Sequence, residues 1–115
     1  MTRLDALRAL LAKVEAGELD FRDDIALNDN WPAKLCLDKT WQAYQGSLDA
    51  AKALHEALLP GWRITAIQHA SGRWRVAISD PIPPHKETWA LSEDPALALL
   101  SCDLRALIAQ EEAKA

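Results

Sequence analysis

The chain has 115 residues, of which 50% are hydrophobic and 26% charged, and its formal net charge is −4. That is one globular domain's worth of chain, able to bury about two-thirds of its unfolded surface, and the composition excludes a disordered or low-complexity protein. The acidic balance argues against a nucleic-acid binder that works through its whole surface, leaving room only for a local basic patch.

Thr2 followed by Asp5 has the form of a capping-box variant, and Leu4, Leu7, Leu11 and Val14 then fall on one helical stripe. With Gly17 in place just past the end, the spacing predicts a helix over about 3–16. The text from Glu18 to Asn30 turns acidic and irregular. Asp20, Asp23, Asp24 and Asp29 lack the central glycine and twelfth-position glutamate of a calcium loop, so a solvated turn with a short helical piece around 23–27 is expected. Trp31 and Pro32 introduce a stretch in which 40–44 reads as helix, while 34–37 is open between a short strand and a helix.

The most legible stretch follows, from Tyr44 to Ser79. Ser47 is a preferred N-cap, Asp49 suits the first turn, and Ala50, Ala51, Leu54, Ala57 and Leu58 form an apolar stripe up to the Pro60-Gly61 stop. This predicts a helix over about 47–59. Trp62, Ile64, Ala66 and Gln68 then alternate with Arg63, Thr65 and Ile67; after a turn at 70–72, Trp74, Val76 and Ile78 alternate with Arg73, Arg75 and Ala77. A period of two on both sides of a Gly-containing turn signals a hairpin, with strands at about 62–68 and 73–79.

Asp80 to Lys86 holds three prolines in seven residues and reads as a stiff loop before a third, edge strand at about 88–91. Asp94 as N-cap and Pro95 at the first helical position open a last helix over about 95–111, with a fraying EEAKA tail. The expected fold is a single α+β domain: a small, mainly antiparallel three-stranded sheet of hairpin plus edge strand, covered by three helices. Helices on both faces would make it α/β/α sandwich-like, and helices on one would leave a wet face; the alternation in the hairpin favours one wetter face.

Sequence motifs for nucleotide loops, nucleophile elbows and zinc proteases are absent. His55-Glu56 has no second histidine at helical spacing, so a structural or surface role is the plainer reading of His55. His69 and His85, placed in loops at opposite ends of a strand, would lie too far apart to share a metal with it. Cys36 and Cys102 are too few for a disulfide framework and read as small buried hydrophobes. No catalytic residue, cofactor or metal is expected. No apolar run reaches the about 18 residues of a membrane span, and MTRLDALRALL lacks signal-peptide order, so the expected location is a reducing cytoplasm.

Charge is unevenly spread. Between Trp62 and Lys86 four cations, Arg63, Arg73, Arg75 and Lys86, stand against Asp80 alone, a local +3 in a chain of −4. Arg63, Thr65, Arg73 and Arg75 would share one face of the hairpin, where guanidinium groups suit carboxylate or phosphate recognition. Trp74, on the other face by parity, and the loop residues His85 and Lys86 complete the candidate ligand site. The plainer reading is a solvated sheet face paired to acidic helices. As a nucleic-acid groove the patch is too small. Five tryptophans against one Phe and one Tyr add candidate anchors wherever one is exposed.

The segments YQGSLDAAKALHEALLPGW and DPALALLSCDLRALIAQ resemble a group of small phage and prophage proteins, similar in outline to phage ABA sandwich domains. The resemblance covers about 4–14 and 44–110; residues 18–40 depart from it. It implies a phage-derived protein acting in the bacterial host cytoplasm, with helices on both sides of a small sheet, and transfers no active site. Two functions follow as expectations. The first is a non-enzymatic binder that sequesters an anionic small molecule, such as a nucleotide-derived host-defence signal. The second is a protein-interaction module, a homodimer or an inhibitor of a host protein, acting through an apolar helix face or the edge strand.

Overall fold

The computed structural model describes residues 3–16 and 47–114. The capping residue Thr2 and all expectations for residues 17–46 lie outside the described residues. Three helices and three strands are present: α1 (Arg3–Ala16), α2 (Leu48–Leu58), β1 (Arg63–Ala70), β2 (Arg73–Ser79), β3 (Glu87–Ser92) and α3 (Pro95–Lys114). The strands form an antiparallel sheet in the order β1-β2-β3, so the α+β class expected from the sequence is the class observed.

The helix at the centre of this arrangement is α3. Asp94 caps it, its Oδ1 accepting from the Ala96 and Leu97 amides at 2.8 and 3.3 Å, which satisfies two of the orphan donors of the first turn. Between Ala96 and Ile108 only Leu97 and Arg105 escape full burial. A helix that is apolar nearly all round has no solvent face to present, and α3 accordingly has neighbours on several sides. It packs on β2 and β3, on α1 and on α2. The helix also continues to Lys114, so the expected fraying tail is helical as far as it is described.

Leu7, Leu10 and Val14 of α1 are buried with α3 in one core cluster. Two exposed ion pairs, Glu15–Arg105 (2.6 Å) and Arg8–Glu112 (3.2 Å), run in opposite directions along the two helices and mark them as antiparallel. Such exposed pairs add little stability, so their role is registration more than energy. Ser47 caps α2, its Oγ accepting from the Ala50 amide at 3.2 Å. Ala50, Ala51, Leu54 and Leu58 are buried as the stripe requires, whereas Ala57 is exposed. Pro60 and Gly61 (φ +84°) then turn the chain back over the end of α2 toward β1.

In the hairpin, Ser71 (φ 54°) and Gly72 (φ 77°) both sit in the left-handed region, the geometry of a two-residue turn whose twist matches that of paired strands. The expected parity of β1 does not run its full length. Ile64 pairs with Ile78 but Ala66 pairs with Ala77, so the chain carries one extra residue, a bulge around Thr65. Beyond it Ile67 joins Ile64 on the core side, and Ala66 and Gln68 turn outward. Val76, Ile78 and Ala90 are buried on that same side against α3, with Ile64 and Ile67 packed at the edge of the cluster. Cys102 fastens helix to sheet: its thiol donates to the Val76 carbonyl at 3.1 Å. Among the described residues the helices therefore gather on the core side of the sheet. Arg75, Glu87, Trp89 and Leu91 occupy the opposite side, with Trp89 and Leu91 each 48% exposed.

Candidate functional site

Apart from Trp74, the candidate site residues lie on or around the open side of the sheet, but not together. Register places Arg63 opposite Ser79 and Arg73 opposite Ala70, at the two ends of the hairpin. Six residues of strand separate those ends by about 20 Å. Arg75 lies between, and it is already engaged: its Nη2 donates to Glu87 Oε1 at 3.4 Å, and its guanidinium lies over the Trp89 ring, 5.5 Å from the centroid. Thr65 donates to the other oxygen of the same glutamate at 3.4 Å. The expected pairing of the arginine face with acidic helices is thus replaced, at Arg75, by a carboxylate from the neighbouring strand.

Trp74 is half-buried on the core side, its ring 4.9 Å from that of His69, which belongs to β1 and not to a loop. His85 (φ 59°) sits in the Asp80–Lys86 loop and donates from Nδ1 to the Asp80 carbonyl at 3.0 Å. The Ile82 amide donates to Asp80 Oδ1 at 2.8 Å, and the Pro83-Pro84 bond is cis. The loop is braced by its own groups, with Ile82 70% exposed and Lys86 exposed beside it. Arg63, His85 and Lys86 therefore belong to one end of the sheet and Arg73 to the other.

At the Arg73 end a groove of about 810 Å³ opens beside the C-terminal half of β3. Its walls are the end of α1 (Val14 to Ala16), Trp89, Leu91 and Ser92 of β3, and the residues Leu97, Ser101 and Arg105 that recur every fourth position along α3. The groove also holds Glu93 and Asp94. Glu15 is bonded to Arg105 and Asp94 is engaged with the first turn of α3. Arg73 and Glu93 are left without an ion-pair partner among the described residues. A compact anion site is thus not what the lining forms. Among the described residues no group of three or more His, Cys, Asp or Glu side chains is placed to hold a metal ion. None of the described helices is long and apolar enough to cross a membrane.

A second polar cluster lies deep in the core, and the sequence patterns missed it. His55 of α2 and Asp103 of α3 are 1% and 0% exposed, with His55 Nδ1 2.5 Å from Asp103 Oδ1 and His55 Nε2 3.0 Å from the Trp62 carbonyl. A carbonyl only accepts, so Nε2 carries a hydrogen. One more proton lies between Nδ1 and Oδ1, making either an imidazolium–carboxylate pair or a neutral imidazole held by a carboxylic acid. Asp103 Oδ2 has no hydrogen-bond partner among the described residues. Burial of the carboxylate pushes Asp103 up from 3.8 to about 6, against the opposing pull of His55. Burial alone would lower His55, but the Asp103 hydrogen bond and charge, with the Trp62 carbonyl, more than offset it, so His55 is raised above 6.5.

A catalytic relay needs the far imidazole nitrogen free to face a hydroxyl or thiol. Here that nitrogen is committed to a main-chain carbonyl and the pair is sealed from solvent, so it acts as a strut joining α2, α3 and the start of β1. Cys102, next to it in sequence, is pushed up to about 12, mainly by burial and also by the Asp103 charge, which keeps it a thiol. The only local hints of the strut were a histidine at the edge of an apolar stripe and an aspartate inside an apolar run. No protein-family model, curated protein or solved structure matches the chain.

Removing one partner of this buried pair, as in Asp103→Ala, is expected to cost about 3–5 kcal/mol by chemical denaturation, while a His55→Leu/Asp103→Leu double variant recovers most of the loss. The pH dependence carries a sign. Both groups hold their protons more tightly folded than unfolded, so their contribution falls as pH rises from about 4 to 6 for Asp103, and again through the raised His55 value above 6.5. The stability of the wild type relative to the double-leucine variant is therefore expected to be greatest near the acid end of that window and to decline toward pH 8; a flat difference would exclude this arrangement.

Proposed function

We propose that the protein is a non-enzymatic interaction module that grips another protein through the open side of its sheet. The observation that supports this is the pair of large apolar side chains, Trp89 and Leu91, half-exposed side by side on β3, an edge strand among the described residues. Aromatic anchors beside arginine are the side chains that most often carry binding energy when a partner covers them. Their position on this strand adds a run of backbone donors and acceptors that no other described strand pairs with, the other half of a docking surface. The apolar faces of the described helices pack into the core, which favours the edge strand over a helix face as the surface. Under the phage resemblance, the partner would be a protein of the bacterial host.

With a photo-crosslinkable p-benzoylphenylalanine incorporated at Leu91, irradiation of bacterial cells is expected to give one discrete adduct that the same residue at the exposed helix position Lys52 does not give. Identical patterns from both positions, or no adduct from either, would count against the proposal.

The small-anion binder remains as a second reading, and it is favoured by one observation: Arg73 is exposed, lacks an ion-pair partner among the described residues, and shares the groove with Trp89. A nucleotide-derived signal would place its phosphate on Arg73 and its base near that indole. Thermal shifts with a panel of cyclic and ADP-ribose-type nucleotides separate the two functions. A shift that Arg73→Ala abolishes would support the small ligand, and no shift across the panel would remove it.

A further inference from the structure

We propose that the groove beside β3 takes an extended peptide segment, added to the sheet as a fourth strand, with apolar side chains over Leu91 and Leu97 and one acidic side chain on Arg73. The proposal rests on the interaction reading above and specifies its chemistry.

Three observations converge on this occupant. First, β3 is an edge among the described residues, and the groove runs along its C-terminal half, where a strand's main chain can pair with it. Second, the groove offers alternate side-chain environments. Leu91 and Leu97 supply apolar contact, while Ser101 and Arg105 lie along the same α3 row. A strand laid beside β3 would send every second side chain to the sheet's open side, where Trp89 and Leu91 stand. Third, the charges select. Because β3 ends at Ser92, opposite Trp74, the preceding residue Arg73 reaches the groove from β2 just past that end, and it has no ion-pair partner among the described residues.

Glu93 is the only other groove charge not engaged by a side chain or a helix end among the described residues. Arg73 can seat a single carboxylate, while the carboxylates of Glu93 and Asp94 in the same groove repel a polyanion. That favours an acidic peptide position over a phosphate-rich ligand or a nucleic acid strand, which would need several cations in a row. The Trp89 face adds a further constraint. Arg75 lies over one face of that ring, which leaves less of the indole free for a stacked base.

The test uses an array of immobilised ten-residue peptides in which apolar and polar residues alternate, with Asp, Asn or Lys at one polar position. The intact protein is expected to bind Asp members about tenfold more strongly than Asn members, a difference of about 1.4 kcal/mol. Arg73→Glu should invert the preference toward Lys members while keeping the wild-type melting temperature, since Arg73 is exposed and has no ion-pair partner among the described residues. Methylating the amides on one edge of a bound peptide should abolish binding, and methylating those on the other edge should not, which is the signature of strand addition. An array without binding, a preference for Asp that survives Arg73→Glu, or equal loss from both methylated edges would each overturn the proposal. If Leu91 still yields its discrete cellular adduct while the array stays silent, strand addition falls and the broader interaction function stands.

Discussion

A helix buried on nearly every side, with an aspartate at its middle, sets the terms for the rest of this fold. Burying an isolated carboxylate is too costly to persist, so Asp103 needs a partner with a matching proton. His55 supplies it from α2, and the Trp62 carbonyl fixes which imidazole nitrogen carries a hydrogen. Through that chain of three groups the ends of α2, the centre of α3 and the entry to β1 are held in one geometry. An apolar contact at the same place would be at least as favourable in energy, but less exacting about direction. A hydrogen-bonded pair fixes the angle at which α2 meets α3.

The same burial divides the sheet. With α3 beneath β2 and β3, and α1 and α2 packed around it, Val76, Ile78 and Ala90 are committed to the core. Period-two geometry then sends Arg75, Trp89 and Leu91 the other way. Their exposure is thus a consequence of where α3 lies. Arg75 resolves part of the resulting charge locally, through Glu87 and the Trp89 ring, so the guanidinium left for recognition at the groove is Arg73, at the turn end of the hairpin. The polar groups of the Asp80–Lys86 loop are likewise turned inward on the loop itself, leaving Ile82 and Lys86 as what it shows to solvent.

Much of the local architecture could be read from residues whose effect is short-range. Ser47, Asp94 with Pro95, and Ser71 with Gly72 act on the chain within a turn of where they stand, and each marks an element boundary that the structure keeps. What was not legible depends on distance or on register. His55 and Asp103 are 48 residues apart, so no periodic pattern could join them. The bulge at Thr65 has no glycine or proline to announce it, and it turns Ile67 and Gln68 to the faces opposite those that simple alternation gives. For α3 the signal was present: Leu97, Leu100, Leu104, Leu107 and Ile108 make one helical stripe, Ala96, Ala98, Leu99 and Cys102 lie off it, and a helix with apolar residues off its stripe has more than one buried side. The candidate site scattered because four arginine and lysine positions close in sequence are spread along strands about 3.3 Å per residue.

Amide hydrogen exchange on the free protein tests most directly the division between a core built around α3 and an open edge at β3. Amides from Leu99 to Leu107 are expected to exchange only through global unfolding, while the outward amides of β3 exchange fast. Local opening of α3 at its midpoint, or protection of the β3 edge in the free chain, would contradict that division.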